Sequence, residues 1–304
     1  MKLLGLETID VAGVTNGVFS FAKGPELAHD RVLLTGGSGT GKTRLLETII
    51  AAREVLATGQ RSLSQDSFIR AEHETSKVVL SWQLTGDEQA TIGAASPAVS
   101  TEVIFCRNED DPADPRMCFL LERYGHDDET PKLEYFSERR RLDVGGGEAS
   151  LDEQEQIALR TDPSPRKFSW LPSFLDRLQD MPSQAARFAS SLQRFSPSLA
   201  YETAGHVLTS RGRLLRSLNE LSASEADAVM FSATAALVGL SGSIILVDRP
   251  ELHGIDPVRV LAGLEGLGLD NQLILATSSR ALAFGFDGLI VQLDRDASFR
   301  GGQG

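Results

Sequence analysis

The stretch Gly36-Gly37-Ser38-Gly39-Thr40-Gly41-Lys42-Thr43 constrains this chain more than any other. It follows the short apolar run Arg31–Thr35 and precedes the amphipathic run Arg44–Leu56. A strand therefore leads into a glycine-rich turn, and the turn into a helix. The spacing G-x-x-x-x-G-K-T is that of a loop built to hold phosphate. Glycines let the backbone curl so that successive N–H groups point inward. The helix N-terminus adds partial positive charge. Lys42 is placed to reach β- and γ-phosphates as a point charge, and Thr43 to offer its hydroxyl to Mg²⁺.

Bulk properties set the bounds. A chain of 304 residues can bury a large core. Its net charge of −12 argues against a broad basic nucleic-acid face and leaves room for a local stripe only. Cys106 and Cys118 make neither a disulfide framework nor a metal spacing. No secretory apolar segment follows Met1-Lys2, so a cytoplasmic setting is expected. Ala228–Val247 is uncharged and largely apolar, but Gly239 and Ser241-Gly242-Ser243 interrupt it. A buried helix, a turn and a buried strand explain it better than a membrane span.

In chain order, strands are expected at Leu3–Val11, Val18–Phe21, Arg31–Thr35, Lys77–Leu84, Thr101–Arg107, Met117–Tyr124 and Leu133–Phe136. A Pro-Asp turn at 110–115 separates two of them. Gly145-Gly146-Gly147 opens a loose acidic stretch, read as a surface loop, that runs to about Pro165. Phe168–Phe195 has helical periodicity, punctuated by Pro172 and Pro182. Val207–Ser210 and Arg213–Leu218 form a hairpin around Arg211-Gly212. Ser222 caps a helix, Glu225–Leu240, with Glu225 at the capping-box position. Three further strands are Ile244–Val247, Leu273–Ala276 and Leu289–Gln292. Strands alternating with helices in the second half predict a parallel sheet covered on both faces.

The run Ser243–Asp248 supplies a second chemical element: a buried strand ending in a carboxylate. An aspartate there can hold Mg²⁺ beside the phosphate loop. Leu221-Ser222-Ala223-Ser224-Glu225, a long helix, then Ile244-Ile245-Leu246-Val247-Asp248-Arg249-Pro250-Glu251-Leu252-His253 resembles the head domain of ABC-type ATPases. Within these it is most similar to the RecF, SMC and OLD-like branch, with a pattern near L-S-S-G-E … L-L-I-D-E-P-E-L-H. The opening Met1–Leu6 and the run Tyr135-Phe136-Ser137-Glu138-Arg139-Arg140 also resemble it.

The resemblance implies an α/β fold, a P-loop NTPase with an ABC-ATPase-like head. It has a central, mainly parallel sheet, an N-terminal antiparallel β part and a small helical segment. One domain spans 1–304: an N-terminal lobe (1–141), a loop (142–165), a helical segment (166–200) and a C-terminal lobe (201–304). The cofactors implied are ATP and Mg²⁺, with Gly36 to Thr43 around the phosphates and Thr43 and Asp248 on the metal. Ser222, Ser224 and Glu225 would contact ATP held by a second head, in a homodimer or heterodimer. No heptad pattern is present, so no SMC-like coiled-coil arm is expected.

Two positions depart from the family pattern. The glutamate that polarises the attacking water is replaced by Arg249, which cannot accept a proton. The switch histidine is replaced by Ser278 within Ala276-Thr277-Ser278-Ser279. Losing a general base costs about 10²–10⁴-fold in rate, so hydrolysis is expected to be slow. Glu251 could substitute as base, and Arg249 could contact the γ-phosphate instead. Two readings follow. One is a slow ATPase switch in DNA repair, mobile-element control or phage defence. The other is an inactive ATP-binding subunit that recruits an effector such as a nuclease. A membrane transporter subunit fits the opening strand and the P-E-L-H run less well. Arg139–Arg141 reads as a solvated charge run, or as a contact to nucleic-acid phosphates or a partner's acidic face, and arginines 187, 194, 211, 213 and 216 as a candidate local DNA contact.

Overall fold

The computed structural model describes residues 1–57, 62–107, 114–122, 133–142 and 159–294. The N-terminal part is an antiparallel sheet in the order β2-β1-β6-β7, from β1 (Lys2–Ile9), β2 (Gly17–Ser20), β6 (Thr75–Gln83) and β7 (Ala98–Cys106). Along β6, Ser76, Val78, Leu80 and Trp82 are buried and their neighbours are not, the period of two of a half-covered strand. A small antiparallel pair, β3 (Ala22–Gly24) and β4 (Leu27–Ala28), leads into the central sheet.

Among the described residues the central sheet has five parallel strands in the order β14-β5-β13-β12-β8. These are β5 (Arg31–Thr35), β8 (Leu133–Phe136), β12 (Ile244–Asp248), β13 (Gln272–Ala276) and β14 (Leu289–Gln292). Alternate side chains enter two different cores. Val32, Leu34, Leu246 and Ile274 join one with α1 (Lys42–Leu56) and the antiparallel sheet. Leu33, Ile245, Val247 and Leu275 join the other with helices from the second half. Both faces are thus covered, which is why these strands read as unbroken apolar runs.

The second core is built by α4 (Leu171–Arg177), α5 (Pro182–Phe195), α6 (Ala223–Val238) and α7 (Pro257–Glu265), with α8 (Arg280–Phe284) at its edge. The rings of Phe195 on α5 and Phe231 on α6 stack 5.1 Å apart. The apolar stretch 228–247 resolves into the end of α6, a turn at Gly239–Ser243 and β12, as its sequence predicts. Among the described residues no helix is long and apolar enough to cross a membrane.

Several sequence expectations are corrected. Over its described part, 117–122, the expected strand Met117–Tyr124 is instead helix: α3 (Pro115–Glu122) buries Met117, Leu120 and Leu121 at helical spacing. The continuous apolar run hid that period, while Asp114-Pro115 is the start signal, with Cys118 N–H bonded to Asp114 O at 2.9 Å. A short helix, α2 (Gly86–Ile92), was not anticipated, although Thr85 and Glu88 form a capping box. The hairpin β10 (Val207–Ser210) and β11 (Arg213–Leu214) gains a third strand, β9 (Leu199–Glu202). Most of the 110–115 turn and most of the 142–165 loop lie outside the described residues.

The end of that loop is anchored rather than loose, with Arg160 and Thr161 buried. Tyr135 N–H donates to Arg160 O at 3.1 Å, and Lys167 Nζ donates to Tyr135 O at 2.5 Å and pairs with Glu134. Thr161 Oγ1 donates to Glu54 Oε1 on α1 at 2.7 Å. Residues 160–167 therefore strap the exposed edge of β8, which would otherwise offer unpaired backbone groups.

The two sheets are clamped by one side chain. Gln272, fully buried, accepts from Leu3 N–H at 2.7 Å and donates to Leu3 O at 2.8 Å and His29 O at 3.0 Å. The clamp sits where the β1–β6 register slips between Leu3 and Gly5. Gln272→Ala should therefore lower unfolding stability by about 2–4 kcal/mol, because three backbone groups lose their partner at once. Urea titration of both proteins checks this, and a loss within error of zero would contradict the clamp.

Candidate nucleotide site

The site gathers at the carboxyl ends of β5, β12 and β13, where ligands of open α/β sheets bind. The loop after β5 needs its glycines. A Cβ on Gly36 would come 2.4 Å from Leu293 O, and one on Gly41 2.5 Å from Gly13 O. Both have positive φ, +146° and +86°, which side-chain residues rarely adopt. Thr40 Oγ1 closes the turn by donating to Gly37 O at 3.0 Å. Lys42 opens α1 and is buried, with Nζ donating to Gly36 O at 2.9 Å and Gly37 O at 2.7 Å. Burial pulls the Lys42 ammonium below its usual pKa, against the opposing fields of Asp248 and Glu251.

Two motifs separated by 205 residues meet here: Thr43 Oγ1 donates to Asp248 Oδ2 at 2.7 Å. Asp248 is 1% exposed. Burial raises its carboxyl from 3.8 to about 6, assisted by nearby Glu138 and Glu47 and resisted by the Thr43 hydroxyl and Arg140. A buried acid among other acids, with a threonine hydroxyl and a lysine beside it, is a donor set that suits a divalent cation and phosphate.

The degenerate positions fall as follows. Arg249 is exposed and has φ +50°. Its Nη1 lies 3.5 Å from Glu138 Oε2. Glu251 turns inward, where Thr277 Oγ1 donates to its Oε1 at 2.7 Å. Ser278 is exposed, so Thr277 rather than Ser278 is the residue after β13 that reaches a site carboxylate. Ser222 and Glu225 form a capping box at the start of α6, and Ser210 Oγ donates to Glu225 Oε1 at 2.6 Å. Burial pushes the Glu225 acid up, but the hydrogen bonds from Ser210 and Ser222 outweigh it and leave its pKa low. Ser222 is exposed, with Ser224 Oγ 3.4 Å from its hydroxyl.

One residue corrects the charge-run expectation for 139–141. Arg140 is fully buried while Arg139 and Arg141 are exposed. Its guanidinium holds Asp227 of α6 through Nε (3.0 Å) and Nη2 (3.1 Å). It also donates to the carbonyls of Ser137 (3.0 Å), Asp248 (2.7 Å) and Arg249 (2.9 Å). His253 Nδ1 lies 2.9 Å from Asp227 Oδ2. Sequence reading missed Arg140, Asp227, Glu138 and Thr277 as parts of the site. The signals available were the run Ser137-Glu138-Arg139-Arg140 after a predicted strand and Thr277 beside Ser278.

The fold is shared with SMC head domains and with RecF. Solved structures with this architecture include an SMC head bound to the C-winged helix domain of ScpA, at TM-score 0.58 and 12% identity, covering 96% of this chain and 94% of that one. The SMC head domain from Thermotoga maritima aligns at TM-score 0.53 and 13% identity over 96% of this chain and 94% of that one. The recombination mediator RecF with ATP, from the RecFOR pathway, aligns at TM-score 0.52 and 12% identity over 96% and 97% of the respective chains. No family model and no curated protein matches the chain.

Two outcomes are expected. Asp248 ionises near 3.8 when unfolded and near 6 when folded, so the folded state binds this proton more tightly. Its contribution is then most favourable below about pH 4 and is lost as pH rises to about 6, on the order of 3 kcal/mol. In melts without nucleotide, Asp248→Asn should raise Tm above wild type at pH 7.5 and flatten the difference below pH 4. Arg140→Met should cost about 3–5 kcal/mol by leaving the Asp227 charge buried and unpaired. Denaturant curves of Arg140→Met beside Arg140→Met/Asp227→Leu check it, since the double variant should recover part of the loss.

Proposed function

We propose that this chain is an ATP-binding head that closes as a dimer around ATP and Mg²⁺ and hydrolyses ATP slowly, acting as a nucleotide-controlled switch. The observation that carries this reading is the Thr43–Asp248 contact beneath the glycine loop, beside a buried lysine. Backbone N–H groups of Gly37 to Thr43 and the Lys42 ammonium would hold the phosphates. Thr43 and Asp248 would hold Mg²⁺, whose chemistry when bound is to neutralise charge on the β- and γ-oxygens. The exposed cap at Ser222 supports action on a partner's nucleotide, because its hydroxyl and helix N-terminus face outward. The described neighbours include an SMC head bound to a ScpA domain and a recombination mediator, which supports a role alongside DNA and an effector protein.

The second reading is an ATP-binding subunit without turnover that recruits an effector such as a nuclease. Arg249 and the exposed Ser278 favour it, since neither can take a proton from water at working pH. Turnover separates the two. Purified wild type should bind ATP–Mg²⁺, associate on ATP addition and release phosphate slowly. Lys42→Ala should weaken ATP binding about 10- to 100-fold, corresponding to ~1.5–3 kcal/mol of charge-assisted hydrogen bonding. Equilibrium binding and sedimentation with and without ATP check both. ATP binding that is indifferent to Lys42 would sink the assignment of the loop.

A further inference from the structure

Arg249 stands where a carboxylate was expected, and its contacts lead to one. β8 and β12 are parallel neighbours with Phe136 opposite Val247. The turns that leave them run side by side, Glu138 on one and Arg249 on the other. Their side chains pair at 3.5 Å, with Glu138 39% and Arg249 47% exposed.

Arg249 is aimed by a backbone that is held on every side. Its left-handed φ of +50° is unfavourable for a non-glycine residue. Three hydrogen bonds fix it there: Arg249 N–H to Ala276 O (2.8 Å), Arg140 Nη2 to Arg249 O (2.9 Å) and Leu252 N–H to Arg249 O (3.0 Å).

The other carboxylates near Asp248 are committed elsewhere. Glu47 pairs with Arg44 at 3.1 Å and is 17% exposed. Asp227 is locked under Arg140 with no exposure. Glu251 accepts the Thr277 hydroxyl with one oxygen, and its other oxygen is sealed from solvent. A base for hydrolysis must meet water and afterwards return the proton to solvent, so it needs a reachable lone pair. Among these residues Glu138 has that access.

We propose that Glu138 is the carboxylate that orients and deprotonates the water attacking the γ-phosphorus of ATP, and that Arg249 is its positioning residue. This rests on the ATP-binding reading above. One O–H bond of water breaks and its proton goes to the Glu138 carboxylate. The water oxygen forms the new bond to the γ-phosphorus. The bond from that phosphorus to the β–γ bridging oxygen breaks, and its electron pair leaves with ADP. Glu138 then returns the proton to bulk water, giving ADP, phosphate and one proton. The negative charge absent after Asp248 is thus supplied from the turn after the neighbouring strand.

The test is steady-state phosphate release together with equilibrium ATP binding on the full chain, with Lys42→Ala as background. Glu138→Gln should lower Lys42-dependent kcat by about 10²-fold or more while leaving ATP affinity unchanged. Glu251→Gln should lower kcat by less than Glu138→Gln does. Arg249→Ala should lower kcat several-fold without moving KM, and Arg249→Lys should restore part of it, which a purely structural role would not do. Glu138→Asp, shorter but still charged, guards against a folding artefact and should keep partial activity. Undiminished turnover in Glu138→Gln, or its loss in Glu251→Gln instead, overturns the proposal. Absence of Lys42-dependent turnover in wild type that still binds ATP also overturns it and leaves the ATP-binding reading standing. Failure of wild type to bind ATP overturns both.

Discussion

The buried guanidinium of Arg140 is the interaction on which the site depends. A charge without solvent access is tolerable only when paired and hydrogen-bonded throughout. Here one fork reaches Asp227 on α6, and the remaining donors reach carbonyls of Ser137, Asp248 and Arg249. The exits of β8 and β12 and the helix behind the Ser222 cap are thereby fixed to one another. Because the guanidinium is planar and its donors are rigidly spaced, lysine could not reproduce the set. The left-handed turn at Arg249 persists because this network and Ala276 over-determine it.

Charge crowding is the second theme. Asp248 and Glu251 act on Lys42 of the glycine loop, and Glu138 and Glu47 act on Asp248. Arg44 answers Glu47, Arg249 answers Glu138, and Arg140 lowers the Asp248 pKa. Burial is the main cause of the elevated Asp248 pKa, and the neighbouring Glu138 and Glu47 add to it. A divalent cation held by Thr43 and Asp248 would relieve the crowding, since its charge would invert the local preference for protonation. Arg249, directly after Asp248, pairs with Glu138 at 3.5 Å.

The sheet explains why such distant groups meet. Parallel strands place all their carboxyl ends on one edge, and Thr277 N–H bonded to Leu34 O and Arg249 N–H bonded to Ala276 O stitch the three loops together there. The Gln272 clamp then sets the antiparallel sheet against the base of the same strands. Edge protection completes the arrangement, with the 160–167 segment strapped over β8.

What the sequence determined by itself was local. The loop at 36–43, the aspartate ending β12 and the Ser222–Glu225 cap are legible because glycine freedom, hydroxyl capping and apolar strands act over a few residues. Residues 117–122 misled for the same reason, since a short unbroken apolar run carries no clear period. The tertiary structure alone decided the partners: Arg140 with Asp227, 87 residues on, Thr277 with Glu251 across two strand ends, and Glu138 with Arg249 across two turns. Those pairings depend on strand order in the sheet, and strand order comes from how the whole core packs, not from any one stretch of chain.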